Sequence, residues 1–142
     1  MKNLSFALLF TVAAVTWASG TTLVCEESAE KVAGKAAGSW LALVDSGKYS
    51  DSWSEAAQLF KERITLQEWE SALQSVRTPL SKVASRKLKS TRYTETLPGA
   101  PDGEYIVIQY ETHFEKKRSV LETIAPMKDK NGQWRVSGYY IK

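Results

Sequence analysis

The stretch Pro98-Gly99-Ala100-Pro101-Asp102-Gly103-Glu104-Tyr105-Ile106-Val107-Ile108-Gln109-Tyr110-Glu111-Thr112-His113-Phe114 decides the fold class. Its first six residues carry dense breaker chemistry and read as an exposed turn. From Glu104 the pattern alternates with a period of two, the period of a strand with two different faces. Ile106, Ile108, Tyr110, Thr112 and Phe114 take one face; Tyr105, Val107, Gln109, Glu111 and His113 take the other. Strand signals continue on both sides. Lys82–Leu97 reads as one long strand with room for a bulge, and Lys116-Lys117-Arg118 as a cationic hairpin tip. Ser119–Met127 gives a third strand. Asp129-Lys130-Asn131-Gly132 contains Asn-Gly, a strong two-residue hairpin signal. Gln133–Ile141 gives a fourth strand, with Trp134, Val136, Gly138 and Tyr140 on one face.

Upstream the period changes. Val32, Ala33, Ala36, Ala37, Trp40, Leu41 and Val44 repeat at the three-and-four spacing of an amphipathic helix, which Ser46-Gly47 stops. Ser52-Trp53-Ser54-Glu55 matches a capping box and predicts a second helix with Trp53, Ala56, Ala57 and Phe60 on one face. Thr65-Leu66-Gln67-Glu68 repeats that signal. The third helix it opens has a buried stripe of Leu66, Trp69, Ala72, Leu73 and Val76 and ends near Pro79. Segregated helices and strands mean α+β, with about three helices packed on an antiparallel meander of about four strands. The meander has to bury one face, and the helical half is the only cover. Long strands covered on one side curl, which predicts a cone with a pocket between the first helix and the concave sheet.

The 142-residue chain carries a formal net charge of +3, with 25% charged and 43% hydrophobic residues. That excludes a disordered chain and a strongly basic nucleic-acid coat. Met1–Gly20 reads as a secretory signal peptide: Lys2 supplies the positive end, Leu4–Val15 the apolar run, and Ala18, Ser19 and Gly20 the small residues of a cleavage site. Cleavage fits after Ala18 or after Gly20. The apolar run falls short of the roughly 20 residues of a bilayer span, and no later stretch supplies one. The expectation is an exported protein, periplasmic or secreted, with one domain over residues 21–142. Cys25 is the only cysteine, so no internal disulfide can form. Val24 before it argues against a lipidated N-terminus, whereas pairing between two chains stays open.

Three groups of residues carry a resemblance: Ala42-Leu43-Val44-Asp45-Ser46-Gly47-Lys48-Tyr49 with Ser52-Trp53; Arg77-Thr78-Pro79-Leu80 with Ser85-Arg86; and Leu97–Tyr105 with Gly132-Gln133-Trp134-Arg135-Val136-Ser137-Gly138-Tyr139-Tyr140. On these the chain resembles the secreted bacterial family called domain of unknown function 4019. It is also similar to the nuclear-transport-factor-2-like, or cystatin-like, α+β cone. The resemblance implies a fold and an exported location, and no catalytic residues. The wider fold holds isomerases, dehydratases and hydrolases beside domains that only bind.

Chemistry-bearing residues are sparse. His113, the only histidine, falls on the outer face beside Glu111. One His and one Cys leave no standard soft-metal site, and there is no phosphate loop, nucleophile elbow or zincin motif. No cofactor is expected. Glu122 stands between Val120 and Ile124 by parity, so it points inward, where it can act as a proton shuttle or pair with Arg86 or Arg135. Trp40, Arg86, Tyr110, Glu122, Trp134 and Tyr140 are the candidate pocket. Five tryptophans and six tyrosines suit either a filled core or an aromatic wall for an apolar ligand. Lys82, Arg86, Lys87, Lys89 and Arg92 make a basic strand, read as a solvated edge rather than a nucleic-acid site. The functional expectation is a non-enzymatic exported domain that binds a small apolar ligand or a protein partner, with homodimer formation through the sheet also open. The alternative is a small isomerase- or hydrolase-type enzyme using the buried carboxylate.

Overall fold

The computed structural model describes residues 27–142. The expected export segment, its cleavage site and Cys25 lie outside the described residues. Four helices precede four strands: α1 (Ala29–Asp45), α2 (Tyr49–Glu55), α3 (Gln58–Arg63), α4 (Leu66–Arg77), β1 (Val83–Thr94), β2 (Tyr105–Phe114), β3 (Val120–Lys128) and β4 (Trp134–Ile141). The strands form one antiparallel sheet in the order β1-β2-β3-β4. The fold class is therefore α+β, with four helices where the sequence suggested three.

Helix α1 ends in a Schellman motif. Gly47 N–H donates to the Val44 carbonyl (3.1 Å) and Lys48 N–H to the Leu43 carbonyl (2.9 Å), with Gly47 at φ 73°. That left-handed conformation suits glycine, which has no Cβ to clash. The tight turn starts α2 at Tyr49, one turn earlier than the Ser52 capping pattern predicts. Ser52 is thus inside the helix and fully buried. Its hydroxyl donates to the Tyr49 carbonyl (2.7 Å) and accepts from Trp69 Nε1 (2.9 Å), and its carbonyl accepts from Trp40 Nε1 (2.7 Å). Two buried indoles need acceptors, and that tertiary demand overrides the local signal.

The predicted second helix is two. Ala56 and Ala57 are extended (ψ 162° and 153°), and Ala57 N–H docks on the Val136 carbonyl of β4 (2.8 Å). Asp129, from the β3–β4 turn, then accepts from Gln58 N–H at the start of α3 (3.0 Å). Helix α4 does begin with the predicted box: Thr65 and Glu68 satisfy each other's backbone N–H. Its buried stripe is Trp69, Leu73 and Arg77; Ala72 and Val76 face out. An arginine replaces Val76 in the stripe because the last turn of α4 abuts a charged interior.

The helices cover one face of the sheet. Ala33, Ala37, Trp40, Leu41 and Val44 of α1 pack with Phe60, Trp69 and Leu73 against Ile106, Ile108, Ile124 and Val136. Rings of Trp40, Phe60, Trp69 and Tyr139 pack with centroids 4.9–6.4 Å apart, mostly edge to face. These rings occupy the space where an open pocket was expected beneath α1.

Register defines the faces. Arg86 pairs with Thr112, Leu88 with Tyr110, Tyr110 with Glu122, and Ile108 with Ile124. Strand β1 has irregularities between Val83 and Ser85 and between Leu88 and Ser90. On β4, Gly138 pairs with Ala125 but Val136 pairs with Pro126, which leaves Ser137 as an extra residue. Such a bulge reverses the alternation beyond it. Trp134 and Val136 face the helices, and after the bulge Tyr139 does so in place of Tyr140. Tyr140 is 64% exposed on the outer face. Tyr105 departs from expectation differently. It lies on the outer face yet is fully buried, because the β1–β2 loop folds over it and its hydroxyl donates to the Pro101 carbonyl (2.6 Å).

Candidate functional site

Among the described residues, charged side chains reach inward where the C-terminal ends of α1 and α4 meet the sheet. Glu122 of β3 is fully buried between Val120 and Ile124. Arg86 of β1 reaches across β2 and grips it with two nitrogens, Nε to Oε1 (2.8 Å) and Nη2 to Oε2 (3.3 Å). The Thr112 hydroxyl donates to Oε1 and the Tyr139 hydroxyl to Oε2. The same guanidinium makes a second fork on Asp45 at the end of α1, Nη1 to Oδ2 (2.8 Å) and Nη2 to Oδ1 (3.0 Å). Arg77 of α4 completes the row. Its Nη2 donates to Asp45 Oδ1 (2.8 Å), its Nη1 to the Tyr139 hydroxyl (3.4 Å), and its guanidinium lies 5.0 Å from the centre of the Phe114 ring.

The result is a chain of alternating charge, Arg77–Asp45–Arg86–Glu122. Opposite charges and hydrogen bonds offset the cost of burying each group. Burial pushes the Asp45 carboxyl up, but the hydrogen bonds from Arg86 and Arg77 outweigh it and hold the group below the usual aspartate range. Burial first, and then the Glu122 carboxylate, push the Tyr139 phenol far above the usual tyrosine range. Tyr139 is therefore a fixed hydrogen-bond donor at any physiological pH. Burial also raises Tyr110, which flanks Glu122 on β2 and is half-buried. Arg77 Nε is a buried side-chain nitrogen without a hydrogen-bond partner; the Phe114 face beside the guanidinium offers partial compensation.

The six candidate residues thus fall in three places. Arg86, Glu122 and Tyr110 are together in the charged interior. Trp40 and Trp134 both line a cleft of about 170 Å³ between α1 and the edge strand β4, and the Trp40 ring also packs on Tyr139 (5.4 Å between centroids). Tyr140 is on the opposite face of the sheet, put there by the Ser137 bulge. Sequence reasoning missed Asp45, Arg77, Tyr139 and Thr112 as members of the charged chain. Asp45 and Arg77 resembled ordinary helix-end residues; only the meeting of two helix ends gives them a common partner. His113 Nε2 lies 3.5 Å from Glu111 Oε1 on the outer face. Arg135 pairs with Glu55 rather than with Glu122.

The outer face has its own concavity. The β1–β2 loop and α3 rise on either side of an apolar floor to make a groove of about 190 Å³. Val107, Ala125 and Gly138 form the floor, Leu97 and Pro98 one wall, and Leu59 and Arg63 the other, with Tyr140 at the mouth. The walls are fixed: Arg63 Nη2 donates to the Gly99 carbonyl, and Tyr105 anchors Pro101 from beneath. Among the described residues no three His, Cys, Asp or Glu side chains converge on a metal position, and no helix is long and apolar enough to cross a membrane.

Among the described residues these features define the class: an α+β fold, with a four-stranded antiparallel meander backed by four helices and tied together by a partly buried chain of ion pairs. The family model of proteins of unknown function DUF4019 matches residues 36–139, and the chain belongs to that family. The match takes in Asp45, Arg77, Arg86, Glu122 and Tyr139 alike. No curated protein and no solved structure matches the chain significantly.

Proposed function

We propose that this is an exported, non-enzymatic binding domain that takes a small amphipathic ligand and performs no reaction of its own. The observation that carries the reading is the saturation of Glu122. Two oxygens offer about four acceptor sites, and four donors from Arg86, Thr112 and Tyr139 take them. A carboxyl group so enclosed has no free lone pair for a substrate proton, and the Tyr139 ring that donates to it packs against Trp40 and Trp69. The charged row is therefore a fastening, and ligand contact falls to the surface. The alternative reading, an isomerase- or hydrolase-type enzyme, draws on the same Glu122, whose lone pairs are already taken. A sheet curled into a nuclear-transport-factor-2-like cone fits the helices on one face and the bulges of β1 and β4, and belongs to the same proposal.

Export rests on Met1–Gly20. Expression of the full chain in a bacterium, fractionation and N-terminal sequencing test it. The expected mature terminus is Ser19 or Thr21, outside the cytoplasm; an intact Met1 in the cytoplasm overturns it. For binding, native mass spectrometry of the protein purified from its own host should show a non-covalent adduct of low mass. A bare chain under gentle conditions counts against the reading, and an adduct at the mass of a second copy replaces the small ligand by a homodimer.

A further inference from the structure

The outer-face groove carries the inference furthest, and it rests on the reading of the domain as a binding module. We infer that the groove between α3, the β1–β2 loop and the outer face of the sheet binds a single-ring organic anion: one aromatic or six-membered ring bearing a short carboxylate arm. Size comes first. An apolar cavity of about 150 Å³ accepts a benzene ring, and this groove of about 190 Å³ leaves space for a ring and a few further atoms. It is too small for a nucleotide, an acyl chain of lipid length or a folded partner's helix.

Surface chemistry comes second. Leu97, Pro98, Val107 and Ala125 make the enclosing surface mainly apolar, with Thr123 and Ser137 as neutral polar members. At the mouth the Tyr140 ring leans back along β4. A Cβ placed on Gly138 would stand 3.3 Å from the ring, so glycine is what lets the ring lie close to the strand. The ring offers an aromatic edge or face to a second ring. Tyr140 is exposed and has no role in the core, so its position has no packing explanation.

Charge comes third. Among the described residues that line the groove, Arg63 is the one charged member and none is acidic. Its contact with the Gly99 carbonyl uses one of five N–H donors and holds the guanidinium in place. The remaining donors suit a carboxylate. Because the loop and Arg63 are tied down in advance, a ligand loses little affinity to ordering them.

The test is a titration of the isotopically labelled protein, followed by amide NMR, with three probes of one shape: phenylacetate, 2-phenylethanol and 2-phenylethylamine. Phenylacetate should produce saturable shifts centred on Val107, Ala125, Gly138 and Tyr140. The alcohol should move the same signals at about tenfold or more higher concentration, and the amine should leave them in place. Arg63→Gln should bring phenylacetate down to the level of the alcohol, and Tyr140→Ser should weaken both. Both side chains are exposed, and spectra report the fold directly. Because Arg63 also ties the loop through Gly99, 2-phenylethanol titrated against Arg63→Gln should bind as it does to the wild type, and a matching loss for the alcohol overturns the role of charge. Shifts that never saturate, or a ranking indifferent to charge and to Arg63→Gln, overturn the site. Saturable binding along the Trp40–Trp134 cleft instead overturns this site and leaves the binding module standing. Conversion of a probe into a new compound overturns the module itself.

Discussion

At the residue scale the protein turns on two polar side chains that serve several partners at once. Glu122 receives four donors from three strands, so its loss should be felt across the sheet. Glu122→Gln should destabilise the domain by about 3–5 kcal/mol, the usual cost of removing one partner from a buried ion pair. Urea unfolding followed by tryptophan fluorescence measures this; a change under about 1 kcal/mol would mean that Arg86 is held well enough by Asp45 alone. Ser52 is the smaller case. Its hydroxyl accepts from the Trp69 indole, so Ser52→Ala leaves a buried N–H unpaired and should cost about 1–3 kcal/mol in the same assay. Ser52→Thr keeps the acceptor and serves as the control for hydroxyl loss. The inward pairing of Glu122 with Arg86 was legible in the sequence; the Thr112 and Tyr139 donors and the Ser52 role were not. Parity did point Glu122 and Arg86 inward, but Ser52 followed by Glu55 spells a helix cap, and only the two indoles above it give the serine a different task.

Elements depend on one another at their ends. Helix α3 is short and its own N-cap residue, Ala57, has no side chain to offer. The cap comes from Asp129, far along the chain in the β3–β4 turn. Asp129→Ala should therefore cost about 0.5–2 kcal/mol and do so locally. Hydrogen exchange at Gln58, Leu59 and Phe60 should quicken before the α4 amides respond. Uniform acceleration across all four helices would mean that α3 has no independent opening and the cap is unimportant to it. The strands were legible because alternation is a strong signal where one face is buried. Room for a bulge was read in β1, which has two irregularities, but the β4 bulge at Ser137 was not, since one extra residue leaves no mark in composition. That is why Ile106, Ile108 and Ile124 were placed correctly while Tyr140 and Tyr139 were exchanged.

For the whole molecule, the alternating charges join both helix ends to the sheet and should govern its response to acid. The folded Asp45 carboxyl titrates below its unfolded value, so its contribution is present above the unfolded pKa. It is lost as the pH falls through the folded one. Stability should decline from about pH 4 downward, near the ordinary aspartate range. Asp45→Asn should flatten that decline while lowering stability at neutral pH. Thermal melts from pH 7 to pH 2 measure both, and a parallel acid limb in the variant would assign the loss to other carboxyls. By itself the sequence determined the α+β class, the order of helices before strands, and the inward face of β2 and β3. Those features follow from local periodicity and turn chemistry, which are written residue by residue. Only the tertiary structure decided that the space under α1 is filled, that Asp45 and Arg77 share the Arg86–Glu122 interior, and that the open groove is on the other side of the sheet. Each of these depends on which distant groups meet. One bulge at Ser137 and one loop folded back over Tyr105 were enough to move the candidate binding surface from the inner face to the outer.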